Sequence, residues 1–110
     1  MQLPTFESEH YVLDDAEELH QSNPETFWIP KKSDRQSLST GDLVKLIFRM
    51  EESAGSPKIS VERMWVEVTE SNGDHYVGRL DNDPYSSDCL KSDMIITFKA
   101  EHIIDIYNKE

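Results

Sequence analysis

Cys89 is the only cysteine in these 110 residues, so no intrachain disulfide can form and a stapled, secreted scaffold is not expected. Basic residues are scarce too, with 11 Lys and Arg against 22 Asp and Glu and a net charge of −11. Phosphate binding needs clustered cations, so nucleic acid is not an expected partner, and an anionic membrane surface would repel the chain. No apolar run approaches the roughly 20 residues that cross a bilayer. Met1 to His10 have neither a basic start nor an apolar core, so they do not read as a signal peptide. The expected location is the cytoplasm.

Reactive constellations are missing as well. His10, His20, His75 and His102 stand apart, and none has a Cys or carboxylate at zinc-finger or His-Glu-x-x-His spacing. Glu101, His102 and Asp105 are close in sequence, but a turn leading into a strand aims them differently. Asp81-Asn82-Asp83 starts like a calcium loop without the glycine and distal glutamate in register. Asp88 precedes Cys89 and opposes thiolate formation. Carboxylates are so common that no acid–base couple stands out. The expectation is no metal, no cofactor and no catalytic centre.

What is present is one domain's length of chain with 36% apolar and 9% aromatic residues, enough for a core. Residues 1–40 read as a helix and an extended arm, and 41–107 as a β core. Leu13 to His20 pairs an acidic start with good helix formers, and Ser22-Asn23-Pro24 stops it. Pro24 to Pro30 is expected to be extended, with Phe27 and Ile29 pointing one way and Trp28 the other. Ser33 is a candidate cap for a single helical turn through Gln36.

From Gly41 the apolar period is two. Val44, Leu46, Phe48 and Met50 share one face of the first strand; Met64, Val66 and Val68 share one face of the second, opposite Arg63, Trp65, Glu67 and Thr69. Glu51 to Ser60 reads as an exposed loop. Asn72-Gly73 is a hairpin signal, and His75 to Leu80 returns with Tyr76, Gly78 and Leu80 inward. Gly78 inside a strand implies a bend or a close backbone approach. Asp81 to Ser92 is irregular, Met94, Ile96 and Phe98 are the inward set of the fourth strand, and a turn at Ala100 to His102 leads to the fifth, Ile103 to Tyr107. The fold class is therefore α+β: a small five-stranded, mostly antiparallel SH3-like barrel, with the N-terminal helix and extended segment packed outside it. An open five-stranded sheet is the competitor.

Charge is unevenly spread. Residues 1–30 hold seven acids and no Lys or Arg, whereas the next ten hold Lys31, Lys32 and Arg35 against Asp34. Either the acidic segment lies over the basic one, or both are solvated. The aromatics offer a similar choice. Trp65 falls opposite the apolar face, so Phe27 to Pro30 covers it as a second small core, or Trp28, Trp65 and the Asn82-Asp83-Pro84-Tyr85 loop line a binding groove.

The segments Pro24 to Pro30, Gly41 to Leu46, Glu62 to Val68, Gly78 to Pro84, Leu90 to Phe98 and Glu101 to Ile106, in that order, resemble the bacterial family called domain of unknown function 2314. Ser92-Asp93 departs from the Gly-Asp usual there, at a turn. The resemblance implies no activity. Related small bacterial domains are often immunity proteins or neighbours of secreted toxins, which is analogy only. Three functions follow as expectations: a non-catalytic adaptor recognising a protein partner through Trp28, Trp65, Asn82, Asp83, Pro84 and Tyr85; an acidic immunity-type inhibitor of a basic toxin; or an enzyme of unrecognised mechanism.

Overall fold

A computed structural model describes residues 2–107. Helix α1 (Phe6–Glu9) is followed by strand β1 (Tyr11–Leu13), helix α2 (Ala16–Ser22), the arm, and the single turn α3 (Lys32–Arg35). Then come β2 (Leu43–Glu51), β3 (Ile59–Asn72), β4 (His75–Leu80), β5 (Ile95–Lys99), a 3₁₀ turn (Ala100–His102) and β6 (Ile103–Ile106). Strands β1 to β5 neighbour one another in chain order, all antiparallel, and β6 returns to pair with β2. The result is an α+β fold with a curled antiparallel sheet and few helices.

The curl has a local cause. β3 pairs with β2 through Ile59 to Glu67 and with β4 through Val66 to Asn72, so it belongs to both halves of the sheet. The register slips between Val68 and Glu70, leaving an extra residue that bends the strand. Opposite the slip is Gly78, where a Cβ would lie 2.5 Å from Val66 Cγ1 and 2.6 Å from the Glu67 carbonyl oxygen. Only a residue without a side chain lets β4 come so close.

The inward alternation predicted for four strands holds. Val44, Leu46, Phe48, Met50, Met64, Val66, Val68, Tyr76, Leu80, Ile96 and Phe98 form the main core with Tyr11, Leu38, Leu90 and Ile103. Gly78 is the inward residue that supplies space instead of volume.

Several expectations need correction. Leu13 is in a strand, and the helix begins at Ala16, where Asp15 accepts the Glu18 N–H at 3.0 Å. Pro24 to Thr26 is a turn closed onto the Asn23 carbonyl, so the arm is extended only from Phe27. Ser33 caps nothing: α3 starts after Lys31, which makes no side-chain cap. β3 extends through Ile59 and Asn72, which shortens the preceding loop. In the hairpin, Asn72 pairs with His75, so the two-residue turn is Gly73-Asp74, with positive φ (+64°) at Gly73 alone. Among the described residues the strands number six, because β1 pairs Tyr11 to Leu13 with Met50 to Phe48. At the departure from the family pattern, Asp93 has φ +76° and Met94 donates its N–H to the Lys91 carbonyl, so the turn forms without glycine there.

Candidate functional site

The arm is built from alternation and two fasteners. Phe27 and Ile29 turn inward onto a second small core of Ala16, Ile47 and Ile104, with Leu19 beside them. Trp28 therefore points outward and is 74% exposed. His20 holds the arm's start through Nδ1, which donates to the Phe27 carbonyl at 2.6 Å. Arg35 holds its end. Only 4% exposed, it donates from Nε to the Pro30 carbonyl (2.8 Å) and from one terminal nitrogen to Glu17 (2.6 Å) and to the Ala100 carbonyl (3.0 Å). Tyr76 reaches out of the main core to donate to the Arg35 carbonyl at 2.9 Å. The acidic segment and the basic one thus meet at Glu17 and Arg35, while Lys31 and Lys32 stay exposed.

Between the arm and the outer face of β2, β3 and β6 runs an open groove of about 920 Å³. Trp28, Pro30, Ile106 and Tyr107 supply apolar surface along it, and Asp34, Asp42 and Asp105 supply carboxylates. Its two cations rest on aromatic faces: Lys45 Nζ is 4.7 Å from the Trp65 ring centre, and the Arg63 guanidinium carbon is 5.8 Å from that of Phe27. Trp65 is half-buried and meets Tyr107 edge-on at 6.1 Å. The second core therefore exists, but it covers Ile47 and Ile104 and leaves Trp65 to Tyr107 and Lys45.

The expected six-residue site divides. Trp28 lines the groove, and Trp65 borders it through Lys45 and Tyr107. Asn82, Asp83, Pro84 and Tyr85 are not among its lining residues. That loop hangs from Glu62, whose carboxylate accepts the Tyr85 and Ser86 N–H groups and the Ser86 hydroxyl. Glu62 shares the concave face with Met64, whereas Arg63 and Trp65 share the convex one, so the sheet separates loop from groove. Asp83 accepts the Ser92 N–H at 2.8 Å, which closes the loop on itself. Asn82 is half-buried, Pro84 likewise, and the Tyr85 ring is fully exposed.

Lys45, Arg63 and Tyr107 were not singled out from the sequence as site residues. The alternating pattern that set Trp65 outward also set Lys45 and Arg63 outward, and that was the available signal. Arg35 gave none, because its burial depends on Glu17 and Ala100, which are distant in the chain.

Beneath the arm, the 3₁₀ turn carries two perturbed groups. Burial pushes the His102 imidazole down to about 4, against a weaker upward pull from Asp15, and its Nδ1 accepts the Lys99 N–H at 3.0 Å. Glu101 is raised, first by burial and then by the carboxylates of Asp15 and Glu17. Among the described residues no three His, Cys, Asp or Glu side chains gather as a metal ion would need. No described helix is long and apolar enough to cross a membrane.

The profile of a bacterial family, described as uncharacterized protein conserved in bacteria (DUF2314), matches residues 11–109. The chain belongs to this family. The match takes in every strand, the arm and the groove, so this DUF2314 protein carries its candidate site within the family's shared region. No curated protein and no solved structure matches it significantly.

Proposed function

We propose that this DUF2314 protein is a non-catalytic, cytoplasmic binding domain that recognises a protein partner through the groove beside Trp28. The observation that carries this reading is a tryptophan left 74% exposed on an arm that is otherwise pinned at both ends. Exposed large aromatics beside a polar rim are what interfaces use as anchors, and holding the arm in place beforehand lowers the entropy cost of binding. The curl of the sheet and the 3₁₀ turn before the last strand support an SH3-like barrel as the architecture behind it. The Asn82 to Tyr85 loop enters as a separate contact, favoured by its fully exposed Tyr85 ring.

A second reading rests on charge: with −11 overall, the same surface suits an immunity-type inhibitor that masks a basic toxin. One experiment addresses both. Tagged wild-type protein and its Trp28→Ala variant are used to capture partners from bacterial lysate at low and high salt. A protein held by wild type at both salts and lost by Trp28→Ala supports the groove. A basic protein held only at low salt, and equally by both forms, favours the inhibitor and removes the groove from the account.

A further inference from the structure

Both sides of the groove are extended backbone. On the arm, the N–H and C=O groups of Trp28 and Ile29 make no hydrogen bond with any described residue. Phe27 and Pro30 on either side spend their carbonyls on His20 and Arg35, so by strand alternation Ile29 faces the His20 edge with Phe27 and Trp28 faces the Arg35 edge with Pro30. Across the groove, Tyr107 donates its N–H to the Leu43 carbonyl, so by strand alternation the main chain of Ile106 faces away from β2. Its N–H is taken by the Asp105 carboxylate at 2.9 Å.

Charge adds a direction. Asp34, Asp42 and Asp105 make no ion pair with any described residue, and Asp34 accepts no side-chain hydrogen bond among them either. The groove's own cations are already seated on the Trp65 and Phe27 rings. Three carboxylates thus face two cations in the groove, and that of Asp34 has no partner among the described residues.

We infer that the occupant is an extended, cationic stretch of a partner's polypeptide, paired strand-like with Trp28 and with its Lys or Arg side chains toward Asp34 and Asp105. This rests on the groove reading above and adds the partner's conformation and charge. Main-chain pairing supplies affinity that is independent of sequence, and alternate side chains supply selectivity, as in other strand-addition sites.

The test uses fluorescein-labelled octapeptides and polarisation. The probes are alternating arginine and leucine, alternating glutamate and leucine, and the arginine peptide N-methylated at every second amide. The proteins are wild type, Asp34→Asn/Asp105→Asn, and Glu7→Gln/Glu9→Gln, which removes the same charge from the exposed helix α1. The arginine peptide should bind wild type, weaken about tenfold with the groove variant and under about twofold with the α1 variant. N-methylation should weaken it by a similar factor, and the glutamate peptide should not bind. Equal weakening by both variants reduces the effect to net charge and overturns the inference. Preference for the glutamate peptide, no binding of the arginine peptide, or indifference to N-methylation does the same. A lysate partner that depends on Trp28 would still stand after such a failure, so the two claims fail separately.

Discussion

Gly78 and His102 show how single residues set the sheet's shape and its response to acid. At Gly78 an added methyl meets the Glu67 backbone as well as Val66, and backbone cannot step aside. Gly78→Ala should cost about 2–3 kcal/mol in urea unfolding, as overpacking of a tight site does. His102 has a folded value near 4 against an ordinary 6.5. Between those values the unfolded chain binds a proton that the folded chain refuses, so this stability is complete above 6.5 and is lost as pH falls toward 4. From pH 7 to pH 4.5 the loss should be about 2 kcal/mol, and His102→Gln should remove that component of the pH dependence. Glu101, raised in the fold, contributes with the opposite sign and reduces the net slope. Gly78 was legible in the sequence because glycine inside an alternating strand has few other uses. His102 was not, since its burial depends on α2 and α3 packing against the 3₁₀ turn.

Among the elements, the arm is the one whose behaviour Arg35 decides. Removing the guanidinium unfastens Pro30, Glu17 and Ala100 together. Arg35→Met should cost about 3 kcal/mol, since breaking a buried pair strands its partners, with Glu17's partial exposure keeping the loss at the low end. It should also speed tryptic cleavage after Lys31 and Lys32, which mass spectrometry would report. A variant as resistant as wild type would mean that the second core alone holds the arm. The long strands were legible from their period of two, but β1 and α1 were not. Three residues from Tyr11 to Leu13 are too few to show a period, and α1 closes through a Thr5–Ser8 capping box with no apolar stripe. The end of β3 was hidden because Glu70, Ser71 and Asn72 are polar and join the sheet through hairpin pairing alone. The arm's alternation was legible, and it correctly turned Trp28 away from Phe27 and Ile29. What it did not carry was the identity of the opposite wall: Asp105, Ile106 and Tyr107 reach the groove only because β6 returns to β2.

For the molecule as a whole, the proposed function divides the work: the surplus of acid would hasten the arrival of a basic partner, and the groove would decide whether it stays. Raising ionic strength should therefore slow association by roughly tenfold and change dissociation little, as stopped-flow and surface-binding traces would separate. Trp28→Ala should do the reverse, raising the dissociation rate while leaving the melting temperature nearly unchanged, because the ring buries little in the folded chain. The most direct test of the central claim places a benzophenone amino acid at position 28, and separately at position 85, and irradiates each in bacterial lysate. The account predicts a discrete protein adduct from position 28 that excess unlabelled wild type suppresses. Adducts from position 85 alone, or none that wild type competes away, would contradict it.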